Sequence, residues 1–200
     1  AASAGTRTVL VDEQQLDNAV ATGSGPTQLL FSCAHHLHPA DWSQLRSDTQ
    51  RILDHNVEEI LDLIKDLANL RIITGHARFV SSNIVEVDRT RIHAENIVVA
   101  TGTSDNVPRI QGIEDIEYLS PTELFSLPKL PKSVTVVGGG ASACETAWLL
   151  ARFDVNVTIV ERSSTILDFL DADARESVLD SFADLGVRVL TNTAITQISQ

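Results

Sequence analysis

Methionine is absent from the 200 residues and the chain opens at Ala1, so the sequence is expected to be a piece of a longer product. Cysteine is nearly absent. Cys33 and Cys144 stand far apart, which excludes a disulfide framework and points to a reducing, cytoplasmic setting. Basic residues are scarce: 15 Lys and Arg face 27 Asp and Glu, for a net charge of −12. That is the wrong sign for gripping a phosphate backbone, so nucleic acid is not an expected partner. No apolar run approaches the roughly 18 residues of a membrane span, and no basic-then-apolar signal stretch opens the chain. A repeat of fixed period is also missing.

What is present reads as a folded chain. Apolar residues at 43% and charged residues at 21% rule out wholesale disorder. At roughly 100 to 200 residues per domain, this length holds one domain or parts of two. Residues 7–12 predict a short buried strand ending in an acid, and the Gly/Ser/Thr-rich stretch 18–27 predicts a loop. From Asp41 to Leu70 the spacing of Leu53, Val57, Ile60, Leu61, Ile64 and Leu67 predicts a helix. The charges between them, from Asp54 to Asp66, form its solvated face. The period then shifts to two, predicting strands at 71–74, 77–80, 84–87 and 97–100, with a turn at 81–83. Pro108, Pro121, Pro128 and Pro131 punctuate a boundary between two lobes. Beyond it, strands at 133–137, 156–161 and 187–190 alternate with helices at 141–152 and 172–185, the pattern of a parallel sheet under helices. A last extended segment falls at 194–198.

The strongest local signal is Val134-Thr135-Val136-Val137-Gly138-Gly139-Gly140-Ala141-Ser142-Ala143. It has the form Gly-x-Gly-x-x-(Gly or Ala) between a β-branched strand and a helix. Gly138 permits the tight turn, Gly140 lets backbone approach a pyrophosphate, and small Ala143 lets helix pack near strand. The helix N-terminus adds unpaired N–H groups and the positive end of its dipole. Glu161 ends the next strand, 23 residues after Gly138, where it can accept hydrogen bonds from ribose hydroxyls. A carboxylate there favours NAD and repels a 2′-phosphate, while Arg162 beside it leaves NADP open.

Three further segments, read with this turn, resemble the pyridine nucleotide–disulfide oxidoreductases, flavoenzymes that include dihydrolipoyl dehydrogenase, mercuric reductase and the soluble transhydrogenase. Ile97-Val98-Val99-Ala100-Thr101-Gly102, followed by Pro108 and Gly112, is similar to the family's Ala-Thr-Gly strand end, where the chain passes the FAD. Leu127-Pro128-Lys129-Leu130-Pro131-Lys132-Ser133 resembles its approach into the NAD(P) domain. Glu145 falls where the family places a Glu near the nicotinamide–flavin contact. The similarity covers nearly the whole chain, in the family's order. It implies an α/β, FAD/NAD(P)-binding, Rossmann-like fold with parallel central sheets. Residues 1–126 would be part of an FAD-binding domain lacking its first strand and Gly-rich turn, and 127–200 part of an NAD(P)-binding domain. The resemblance also implies that Asp12 holds the FAD adenosine ribose and that Gly75-His76-Ala77 runs past the adenine. It implies an enzyme that moves hydride from NAD(P)H to FAD, homodimeric through a C-terminal interface domain that carries a His–Glu pair.

One departure bears on chemistry. Disulfide members carry Cys-x-x-x-x-Cys and then, after one residue, Pro-Ser-Lys. The corresponding run here, starting at Leu16, is one residue shorter. Counting forward from Leu16 puts the cysteine positions at Val20 and Gly25, and counting back from Pro26 puts them at Ala19 and Ser24. None is Cys. The Lys that would pair with Glu145 is Gln28, and the paired Gly after Leu16 is Asp17-Asn18. A thiol relay needs two sulfurs in reach of each other and of the flavin. Cys33 and Cys144 are expected instead to be small buried residues. The expected acceptor is therefore a non-thiol small molecule: a second nicotinamide, a quinone-like compound or oxygen. The alternative is a non-catalytic NAD-binding relative. His35, His36 and His38, with Cys33 and Asp41, lack the second ligand cluster of a structural zinc site, so no metal is expected. Asp168, Asp171 and Asp173 read as a loop and helix start, where acids suit the dipole.

Overall fold

The computed structural model describes residues 1–13, 24–36, 41–121 and 123–199, with side chains from Gln28 onward in the second stretch. The run from Leu16 to Gly23 and His38 lie outside the described residues. Two compact units emerge: Ala1–Pro26 with Gln50–Ser104, and Thr27–Thr49 with Asp105–Gln200.

In the first unit, β1 (Thr8–Asp12) pairs in parallel with β2 (Leu70–Thr74), setting Leu10 opposite Ile72 and Asp12 opposite Thr74. A separate antiparallel meander follows, of β3 (Ala77–Ser81), β4 (Ile84–Val87) and β5 (Thr90–His93). Glu86 on the central strand faces Arg78 on one neighbour and Arg91 on the other and bonds to both. Opposite charges placed directly across a ladder are favourable, and they compensate a nearly buried carboxylate. The guanidinium of Arg91, then that of Arg78, holds the Glu86 carboxyl below the usual glutamate range. The expected strand at 97–100 does not form. Its residues read Ile-Val-Val-Ala, yet among the described residues no strand offers them a ladder, and Val98 is 88% exposed. β-propensity without a hydrogen-bonding neighbour does not make a strand.

The second unit is the alternating structure. β6 (Ser133–Val137), β7 (Asn156–Val160) and β8 (Arg188–Leu190) form a parallel sheet in the order β6–β7–β8. The chain crosses between them through α3 (Ala141–Ala151) and α4 (Ala172–Asp184). α3 packs on β6 and β7 with Cys144, Ala147, Leu149 and Leu150 buried, and Phe182 anchors α4 at 1% exposure. Gly186, at φ +71°, ends α4: its N–H reaches Ala183 O, and the Val187 N–H reaches Phe182 O. This left-handed cap satisfies the last carbonyls. At 194–198 the extended reading reduces to a single parallel bridge, Gln111 to Gln197.

Two helices precede these strands, α1 (Ser24–His36) and α2 (Trp42–Lys65). α1 starts inside the stretch expected to be loop. Pro26 permits this because its missing N–H lies in the first turn, where no intrahelical bond is made. Asp41 caps α2, its carboxylate accepting the Gln44 N–H at 2.8 Å, and that bond holds its pKa down. The charges from Asp54 to Asp66 are exposed, as a solvated face requires. Within this unit the Trp42 indole donates to Leu127 O at 2.8 Å and Arg46 Nε to Phe125 O at 2.9 Å.

Candidate nucleotide site

The glycine turn sits where β6 gives way to α3. Gly138 adopts φ +109°, which a side chain would oppose, and its N–H extends the β6–β7 ladder to Val160 O at 2.9 Å. Around Gly138 and Gly140 a Cβ would meet nothing within 4 Å, so that face of the turn is open. Gly140 caps α3 in extended conformation and accepts the Cys144 N–H at 3.0 Å. The first turn of α3, exposed at Ala141 and Ser142, carries the N–H groups that a helix leaves without intrahelical partners, the arrangement that receives phosphates.

Glu161 follows β7 directly and closes on the turn. One carboxylate oxygen accepts the Ser163 N–H and the other the Gly139 N–H, both at 2.6 Å. Hydrogen bonds to the charged form favour it, so Ser163 first, with Gly139 adding, holds the Glu161 carboxyl below the usual range. The Ser163 side chain adds a third hydrogen bond, and the roughly four acceptor sites of a carboxylate leave room for another partner. The Glu161 N–H is itself tied to Leu190 O at 2.8 Å, and its carbonyl accepts the Thr193 N–H at 2.9 Å.

The structure thus brings Gly138, Gly139, Gly140 and Glu161 together. Ala143 lies half-buried in the first turn of α3, and Glu145 lies one turn on, exposed. In the other unit, Asp12 is half-buried at the C-terminal end of β1, with its carbonyl accepting the Gly75 N–H at 2.8 Å. A Cβ on Gly75 would meet Val87 at 2.7 Å, so this glycine makes room for β4. Ala77 is exposed on β3, and Ala100, Thr101 and Gly102 are exposed in a segment without regular structure.

Both cysteines are buried and free. Burial, with Glu145 and Glu161 adding to it, pushes the Cys144 thiol up to about 11, and its sulfur rests 3.7 Å from Gly139 O. His35 stacks on Trp148 of α3 at 6.1 Å between centroids, and Arg152 lies 5.2 Å from the same ring. Among the described residues no group of His, Cys, Asp and Glu could hold a metal ion, and no helix is long and apolar enough to cross a membrane.

Sequence reasoning missed two neighbours of the turn, Ile166 and Leu167. A Cβ on Gly139 would come 2.7 Å from Ile166 and 3.0 Å from Glu161. Leu167 donates its N–H to Gly139 O at 2.7 Å from a left-handed backbone, φ +49°. Residues of that kind in a loop carry no sequence signal for such a role.

Comparison with known proteins agrees with this geometry. The family model described as pyridine nucleotide-disulphide oxidoreductase matches residues 1–200. A mercuric reductase from Lysinibacillus sphaericus is 32% identical over 143 residues, which cover 72% of this chain and 26% of that protein. A dihydrolipoyl dehydrogenase from Mycoplasma genitalium is 31% identical over 161 residues, 78% of this chain and 35% of its own length. The solved structure of the HOCl-induced flavoprotein disulfide reductase RclA from Escherichia coli superposes with a TM-score of 0.82 at 27% identity. That superposition covers 99% of this chain and 46% of RclA. The chain spans less than half the length of each of these relatives.

Proposed function

The chain belongs to the pyridine nucleotide-disulphide oxidoreductase family, and from that premise we propose that it supplies both nucleotide-binding portions of an FAD-dependent oxidoreductase taking hydride from NAD(P)H. The observation that carries this reading is the open glycine turn with Glu161 fixed beside it. The turn fits a dinucleotide. Gly138, Gly140 and the α3 N-terminus would hold the pyrophosphate, and the outer lone pairs of Glu161 would accept the adenosine ribose hydroxyls. A carboxylate held ionised there favours NAD over NADP. Glu145 would lie toward the nicotinamide.

In the portion expected to span 1–126, Asp12 would accept the hydroxyls of the FAD adenosine ribose. Ala77, Ala100, Thr101 and Gly102 are small residues past which a cofactor can run without side-chain obstruction. FAD, when bound, supplies the hydride acceptor; the chain supplies orientation and electrostatics.

The acceptor downstream of the flavin is a non-thiol small molecule. The positions matching the family's cysteines carry none, and Cys144 is buried with its thiol protonated at neutral pH, so it makes a poor relay. Mixing the protein that carries this chain with NADH, while following flavin absorbance, tests the whole reading. Fast bleaching without turnover of an added dithiol is expected. Robust dithiol turnover would overturn the acceptor assignment, and NAD binding without flavin would favour a non-catalytic relative.

A further inference from the structure

Gly139 is the one residue of the turn whose backbone is gripped by side chain and loop together. Its N–H is taken by the Glu161 carboxylate and its carbonyl by the Leu167 N–H. The space beside its Cα is filled by Ile166, which is 1% exposed. Leu167, at 6% exposure, makes its bond from a left-handed conformation that bulky residues seldom adopt. Such outliers persist where the surroundings over-determine them, and they gather at binding sites. The loop is fixed from its far side as well: Ser163 O accepts the Asn192 N–H at 2.8 Å, and Asn192 is left-handed too, at φ +51°.

These contacts do more than close a loop. The strand and helix on either side fix where the turn begins and ends, but not how the peptide planes on either side of Gly139 are rotated. That rotation decides where the neighbouring N–H groups point, which is what a pyrophosphate reads. With both polar groups of Gly139 held and its open side occupied, the rotation is set before any nucleotide arrives. We infer that the segment from Glu161 to Leu167 is a preformed latch, with Ile166 and Leu167 as positioning residues that set the glycine turn for pyrophosphate binding.

The inference rests on the reading of this turn as an NAD site, and the two can fail separately. The experiment is NAD titration by calorimetry, beside thermal melting without nucleotide, for wild type, Gly139→Ala, Ile166→Ala and the double variant. If wild type does not bind NAD, the site reading fails. If it binds, Gly139→Ala is expected to weaken affinity about tenfold or more, because the new methyl forces the latch aside. Removing the Ile166 side chain relieves the closer of the two clashes and leaves the Glu161 side chain, at 3.0 Å, to give by a few tenths of an ångström. The double variant should therefore bind more tightly than Gly139→Ala while melting lower than wild type because of the cavity. A merely structural role would move melting and affinity together, so recovered affinity in a less stable protein is the distinguishing result. Wild-type affinity in Gly139→Ala, or no recovery in the double variant, would overturn the latch. Hydrogen exchange on wild type adds a check independent of the variants: the Leu167 amide should be protected before NAD is added, and exchange at the rate of a free amide would overturn the proposal.

Discussion

Two parallel ladders of similar composition lie in this chain, and their surroundings differ. In the unit of β6, β7 and β8, the central strand buries Val157, Ile159 and Val160 to between 0% and 8% exposure, with α3 laid across it. In the unit of β1 and β2, Val9 and Ile72 remain 40% and 44% exposed. All the buried apolar residues among those described, apart from Leu53 and Val87, belong to the unit of β6, β7 and β8. Parallel strands are apolar on both faces and need cover on both. The glycine-turn unit covers one face of its central strand with α3, which packs on β6 and β7. Its acid is also held differently. Glu161 is fixed by backbone N–H groups, whereas Glu86 is fixed by two arginine side chains that are themselves exposed.

The contrast is open to direct attack, and the largest effect comes from the core. Phe182→Ala is expected to cost about 3–5 kcal/mol in the glycine-turn unit. Phe79→Ala in the meander, where the ring is 57% exposed, should stay within about 0.5 kcal/mol. Exchange of the β7 amides against those of β4 measures each unit by itself. Equal losses in both would dissolve the distinction.

Next in size is Glu161→Gln, expected to cost about 1–3 kcal/mol by leaving a backbone N–H facing an amide donor. Because the folded carboxyl lies below its ordinary value of 4.5, its contribution is fully present above about pH 4.5. It is lost as pH falls through the lower, folded value. Stability of wild type should therefore drop in that acid window more steeply than stability of Glu161→Gln, and parallel pH profiles would count against the assignment.

Smaller again is Arg91→Ala, expected to cost under about 1 kcal/mol, since Arg78 still bonds the Glu86 carboxylate and the arginine ends are exposed, so that added salt trims the effect further. The Glu161 effect should survive the same salt, because backbone dipoles in a partly buried turn are screened less. Smallest is the response of Cys144 to iodoacetamide at neutral pH. Native protein should leave it unmodified, and denaturant should release it; rapid native labelling would contradict the buried thiol.

How much of this could be read beforehand follows the same division. β6, α3, β7, α4 and β8 were legible because buried parallel strands are β-branched runs that alternate with helix-length stretches, the first of them announced by the glycine turn. The glycine turn and Glu161 were legible because their spacing follows from phosphate and ribose geometry. β5 was missed, since Thr90-Arg91-Ile92-His93 offers a single apolar residue to an alternation rule. Residues 97–100 were over-read, because composition reports propensity and not the presence of a neighbouring strand. Ile166 and Leu167 were invisible for a third reason. A leucine forced into left-handed backbone is selected by its tertiary setting, against its local preference.

The bonds from Trp42 to Leu127 and from Arg46 to Phe125 join residues 85 and 79 positions apart. As the chain emerges during synthesis, α1 and the first turns of α2 must wait, unpartnered, until the approach to β6 has been made. Contacts across such separations slow assembly, because the intervening chain must be closed into a loop before they repay it. The glycine-turn unit is thus an early segment and a late one folded as a single body, and cutting the chain after residue 126 would leave the carbonyl of Leu127 without its tryptophan.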